Sequence, residues 1–232
     1  EFTIEASFLV PVQGSDRMGI TSTPGGPIFE IAQWFPNVCK YDDVHGWNTL
    51  GYLGQGEFYT DFGNYDVRLT VPSDHVVAAT GELVNAAEVL SAEEYARLAQ
   101  ARSSREPVAV MTEDEVGTRV VTGATRTWRF RSERTRTFAW ASSPAFVWDA
   151  CTADAGDGRS VLCQSLYPKE SARTWGTSAK GGGATRAGEI VQALLPVLEE
   201  FVARAEGTYG RGFDVALVCW DAPSHAAAQA ER

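Results

Sequence analysis

The chain has 232 residues, 44% of them hydrophobic, and a formal net charge of −10 at pH 7; at this size a polypeptide buries about 70–75% of its unfolded surface and can build a sizeable core. The charge argues against a general affinity for nucleic acid or an anionic membrane, both of which need a positive field, and leaves a cationic peptide as a compatible ligand. No run of about 18 apolar residues exists, so no transmembrane segment is expected.

The chain starts at Glu1, without Met or a signal peptide, so the natural N-terminus is expected to be missing or removed. Ile4, Ala6, Phe8 and Val10 alternate ahead of Pro11, the pattern of a half-buried strand. Residues 31–48 then concentrate aromatic, amide and carboxylate groups in a non-repetitive stretch, the kind of segment where binding residues gather. Val67, Leu69 and Val71 alternate before Pro72, and further strands are expected at 75–79, 108–112, 118–122, 127–131, 137–142 and 146–149. Ser91 followed by Glu94 is a capping box. It predicts a helix over 91–102 with Tyr95, Leu98 and Ala99 on one face, packed on the sheet as an insertion.

After about residue 168 the pattern changes. Apolar residues at helical spacing predict a helix over 184–205, kinked at Pro196, then a glycine-rich turn and an alternating strand over 213–219. The fold class expected is mainly β, a β-sandwich or saddle-like domain over 1–167 with a helical insertion. A short, incomplete α/β segment over 168–232 follows it.

Cys39, Cys151, Cys163 and Cys219 form no Cys-x-x-Cys pair, and a chain this long needs no stapling. Buried free thiols are the reading, with a Cys151–Cys163 bridge across a hairpin as the alternative; the compartment stays open. Arg126, Arg129, Arg131, Arg134 and Arg136 surround Trp128 and Phe130. In a strand this places the rings on one face and Arg129 and Arg131 on the other, so a solvated face is preferred to a nucleic-acid surface. Asp42, Asp43, Asp61, Asn64 and Asp66 match no calcium loop and read as turn and capping residues. His45 and His75 read as polar surface or loop residues. No His belongs to a His-Glu-x-x-His pair, no Gly-x-Ser-x-Gly elbow or phosphate loop is present, and Gly181-Gly182-Gly183 reads as a flexible link. No metal ligand set is assigned to this chain.

The run Ile31-Ala32-Gln33-Trp34-Phe35-Pro36, with Cys39, Tyr41-Asp42-Asp43 and Gly46-Trp47-Asn48 downstream, resembles the aminopeptidase N family of gluzincin zinc metallopeptidases, especially a bacterial branch. Gly56-Glu57-Phe58-Tyr59, Gly63-Asn64-Tyr65-Asp66-Val67, Thr70-Val71-Pro72 and Thr80-Gly81-Glu82-Leu83-Val84 look like consecutive strands of that family's N-terminal domain. Thr127-Trp128-Arg129-Phe130, the run 138–143 and Phe146-Val147-Trp148-Asp149 resemble its last strands. The resemblance covers about residues 25–170 and fades after about 181.

The resemblance implies a saddle-shaped β domain that closes one side of the substrate cleft of a catalytic domain absent from this chain. It implies a Gln or Glu that accepts hydrogen bonds from the amino group of the peptide substrate. Gln33 is the first candidate and Glu30 the second, with a purely structural use of Gln33 as an equal alternative. Zinc is expected in the complete enzyme, where metal-activated water attacks the peptide bond, and no cofactor is expected in this chain, which reads as truncated before the catalytic motif. The rival is a stand-alone β-sandwich module using the aromatic segment 34–59 to bind peptide or glycan. In a third reading Trp34, Trp47, Trp128, Trp140 and Trp148 are simply core, as most large aromatics are.

Overall fold

A computed structural model describes residues 2–12, 17–51, 59–119, 123–154 and 160–175. The chain is mainly β and its named strand pairs are all antiparallel. β1 (Met18–Thr23) and β2 (Gly26–Ile31) form a hairpin, β3 (Tyr41–Asp42) and β4 (Gly46–Trp47) a very short one. β5 (Gly63–Pro72), β6 (Val76–Ala79) and β7 (Glu82–Leu83) lead into two helices, α1 (Ala86–Val89) and α2 (Ala92–Ala101). β8 (Val108–Met111), β9 (Thr125–Thr135), β10 (Trp140–Ser143), β11 (Phe146–Asp154) and β12 (Ser160–Pro168) follow, with a short turn of helix into α3 (Ala172–Trp175). The sheets run β1-β2-β10-β6, β12-β11-β8 and β5-β9-β7.

Alternation explains the longest strands. In β5 Leu69 and Val71 turn inward while Asp66, Arg68 and Thr70 face solvent, and in β9 Trp128 and Phe130 are buried between exposed Thr127 and Arg131. One apolar cluster joins these side chains to Val76 and Val77 of β6, Met111 of β8, Phe138, and Phe146 and Trp148 of β11. Burying a large aliphatic or aromatic side chain stabilises the fold by about 1.5–3 kcal/mol, so this shared core is what holds the sheets together. At Gly81 the backbone has φ +90°, and a Cβ there would lie 2.2 Å from the Arg131 carbonyl oxygen; only glycine lets β7 start this close to β9.

The helix over 91–102 is present as α2, and its capping box is complete: Ser91 Oγ accepts from the Glu94 N–H at 3.1 Å and Glu94 Oε2 accepts from the Ser91 N–H at 2.8 Å. Its buried face is not the expected one. Glu94, Leu98 and Ala101 face inward while Tyr95 is 47% exposed, because Glu94 meets a largely covered cation. Arg119 donates to both Glu94 oxygens at 3.1 and 2.9 Å, to the Val89 carbonyl at 3.0 Å and to the His75 carbonyl at 3.3 Å. Its guanidinium also lies 5.9 Å from the Trp128 ring centroid, within cation–π range.

Two other expectations are corrected. Residues 2–10 form no strand and are largely exposed; alternation alone makes no strand where no neighbouring ladder is available among the described residues. Residues 118–119 continue from the turn over 113–117 rather than forming a strand, and 120–122 lie outside the described residues. The β1–β2 hairpin was not expected, although its two-residue Pro24-Gly25 loop is a turn signal. The helix over 184–205, the strand over 213–219, Gly181-Gly182-Gly183 and most of the 168–232 segment also lie outside the described residues.

A second ion pair fastens α2 to the turn after β8. Arg97 grips Glu115 through two bonds of 2.7 and 2.9 Å, and the Thr112 N–H adds a third at 2.8 Å. Arg97 first, then Thr112, hold the Glu115 carboxyl down at about 2, against an ordinary value of 4.5. The folded chain therefore releases this proton more readily than the unfolded chain. The resulting stability is fully present above pH 4.5 and is lost as pH falls towards about 2. We expect the urea midpoint to drop between pH 5 and pH 3 more steeply in the native chain than in Arg97→Met; parallel slopes would contradict the assignment.

Candidate functional site

Gln33 stands just beyond β2, exposed, on a bend with φ +52°. A left-handed conformation at a non-glycine residue costs about 1–2 kcal/mol, so it persists only where its surroundings fix it. Here they do. Ile31 before it is 2% exposed, the Ala32 N–H bonds the Arg17 carbonyl at 2.9 Å, and the Trp34 indole donates to the Phe138 carbonyl at 3.0 Å. Trp34, Phe35, Tyr65 and Phe138 continue inward as a chain of ring contacts with centroids 5.1, 5.9 and 6.1 Å apart. The Gln33 amide makes no hydrogen bond among the described residues.

Glu30, the second candidate, is placed differently. It lies within β2, half-buried, paired in register with Gly19 of β1 and Ala141 of β10. The fold gives Gln33 an open position at a strand end and Glu30 a position inside the sheet.

Beyond Gln33 the aromatic segment changes character. Tyr41 and Trp47 face each other across the β3–β4 hairpin with centroids 5.3 Å apart at 71°, and they are 58% and 57% exposed. Trp47 is therefore surface, not core. Asp42 fixes the hairpin by accepting from the His45 N–H at 2.6 Å and the Val44 N–H at 2.9 Å, and these bonds pull its pKa below the usual carboxylate range. Lys40 pairs with Asp61 and its N–H bonds the Tyr59 carbonyl at 3.0 Å, tying the hairpin to the chain just before β5. Asp42 and Asp61 thus take turn roles.

The arginine-rich strand has a solvated face whose cations are partly committed. Arg129 and Arg131 both bond Asp66, which Arg129 foremost holds well below the usual carboxylate range. Arg126, two residues before Trp128 and so on the ring side of the strand, opposite Arg129 and Arg131, donates to the Val89 carbonyl. Arg68, Asn85, Glu88, Thr127, Arg129 and Arg131 line a shallow groove of about 380 Å³ on this face.

Two buried polar pairs were not visible in the sequence. His75 is 6% exposed, not a surface or loop group. Its Nδ1 lies 3.2 Å from Ser142 Oγ, Phe29 packs on its ring, and burial lowers its pKa. Tyr167 donates to Asp149 Oδ2 at 2.6 Å, and burial, then this bond, push its hydroxyl well above the ordinary range. Ser142 and Asp149 are each 2% exposed, so a substrate cannot reach either pair without opening the core; both read as fastenings of the sheets. Searches of protein-family models, curated proteins and solved structures return no match to this chain.

Proposed function

We propose that the chain is a non-catalytic, β-rich N-terminal portion of an aminopeptidase N-like zinc metallopeptidase, forming one wall of its substrate cleft. Gln33 then receives the amino group of the peptide. The supporting observation is Gln33 itself: an exposed amide on a left-handed bend, braced on both sides by buried contacts. Its carbonyl oxygen can accept from an ammonium group, and a fixed backbone lowers the entropy lost on binding. Zinc and the His-Glu-x-x-His motif belong, in this reading, to a catalytic domain outside this sequence.

The test is direct. The coding sequence downstream should carry an in-frame His-Glu-x-x-His, and the present chain alone should hydrolyse no aminoacyl substrate. In the complete enzyme, Gln33→Ala should lower kcat/KM by roughly 10- to 100-fold, the loss of one charge-assisted hydrogen bond. The change should fall mainly on KM, with zinc content intact. Unchanged kcat/KM for peptides with a free amino group would overturn the assignment.

A second reading rests on Tyr41 and Trp47, whose exposed rings suit stacking against a sugar or an extended peptide. In that reading the chain is a stand-alone binding module. Trp47→Ala would then abolish oligosaccharide or peptide binding by the isolated chain while Gln33→Ala left it intact.

A further inference from the structure

β11 and β12 pair without a break in register from Phe146↔Pro168 to Asp154↔Ser160, and Cys151 stands directly opposite Cys163. Directly opposed residues of an antiparallel pair have Cα atoms about 4.5 or 5.5 Å apart, depending on the ladder position. Both distances fall inside the Cα window of a disulfide, about 4.4–6.8 Å. Opposed residues also point to the same face, so the two sulfurs lie on one side of the sheet. Both residues are 2% exposed and both are thiols in this structure. Cys39 lies outside this strand pair, its backbone forming an isolated β-bridge with Thr60. The register therefore brings the two cysteines within bonding reach of each other.

We propose that Cys151 and Cys163 are a disulfide site, closed when the chain folds in the presence of a disulfide oxidant such as oxidised glutathione. The thiolate of one cysteine attacks the oxidant, forming a mixed disulfide and releasing one reduced glutathione. The second thiolate attacks the first cysteine's own Sγ and displaces the second glutathione as its thiolate. Two protein thiols are oxidised, one glutathione disulfide is reduced to two thiols, and the two protons pass to the departing glutathione thiolates. Burial raises the Cys151 thiol pKa and leaves little thiolate in the finished fold. The bond therefore forms on the hairpin before the core closes over it, and afterwards it is shielded from reductant.

The bond closes a loop of about a dozen residues, and restricting the unfolded chain in this way raises Tm by about 5 °C. The experiment refolds the full chain in a glutathione redox buffer, blocks remaining thiols and digests it under denaturing, non-reducing conditions. Trypsin cuts after Arg159, between the two cysteines, so the bond appears as one cross-linked peptide pair two hydrogens lighter than its reduced parts. Cys39 and Cys219 should be found blocked, and Cys39→Ser with Cys219→Ser should leave the cross-link and the Tm gain unchanged. Cys163→Ser should abolish both. Blocked thiols at 151 and 163 after oxidative refolding, linkage to Cys39 or Cys219, or a persistent glutathione adduct would each overturn the proposal, and all three are read on the native chain.

Discussion

Arg119→Ala is expected to cost about 3–5 kcal/mol of folding stability, the range for breaking a buried ion pair by removing one partner. The Arg119 and Glu94 side chains are 10% and 8% exposed, and the guanidinium serves both oxygens of Glu94, two backbone carbonyls and the face of Trp128. Without it, a carboxylate stays buried against the core with the Ser91 N–H as its remaining hydrogen bond among the described residues and the Arg126 charge nearby. The Val89 carbonyl, at the end of α1, keeps its bond from Arg126 at 2.7 Å, so the damage centres on Glu94. A double variant, Arg119→Met with Glu94→Leu, should recover most of the loss, because an apolar pair of similar volume replaces the ions without stranding either. Recovery should stop about 1 kcal/mol short, since Glu94 also completes the capping box. Urea unfolding of the single and double variants checks this. A single-variant loss below about 1 kcal/mol would mean that water reaches Glu94 and that the pair behaves as a surface one.

Phe138→Ala should cost a comparable 3–5 kcal/mol, the usual loss for removing a fully buried aromatic ring. Phe138 is 0% exposed, and its position ties stability to the candidate site. Its ring supports Tyr65 and its carbonyl holds the Trp34 indole, so the void opens beneath the ring chain that braces the Gln33 bend. Two readouts are expected to move together: a lower urea midpoint, and faster hydrogen exchange at the Ala32 N–H, which bonds Arg17 beside the bend. Phe138→Leu should lose much less, because it fills most of the same space. Unchanged exchange at Ala32 in Phe138→Ala would separate the bend from the core and leave Gln33 without its brace.

Local chemistry was the readable part of this chain. Alternation gave β5 and the middle of β9, and Ser91 with Glu94 gave the start of α2 almost to the residue. What failed needed a partner distant in sequence. The buried face of α2 could not be read because Glu94, charged and therefore expected outside, faces Arg119 25 residues later. The pattern at residues 4–10 was right for a strand, but a strand needs a neighbour that alternation does not announce. His75 gave no sign of burial, because what covers it is Phe29 and Ser142. In the aromatic segment, composition could not divide the inward rings Trp34 and Phe35 from the outward Tyr41 and Trp47; the division falls at the short β3–β4 hairpin. Nor could any motif show that Gln33 adopts a positive φ, which is the property that sets it apart from its neighbours.

Gly81 makes the chain unevenly tolerant of change. Even alanine there must push β7 off β9 or bend both, since the obstacle is a backbone oxygen and not a side chain that can swing aside. Gly117, also at positive φ (+77°) but with nothing within 4 Å of its would-be Cβ, risks only the modest backbone penalty. In a library of random variants selected for folding, position 81 should come back as glycine almost without exception, whereas position 117 should drift, with asparagine and aspartate the first arrivals.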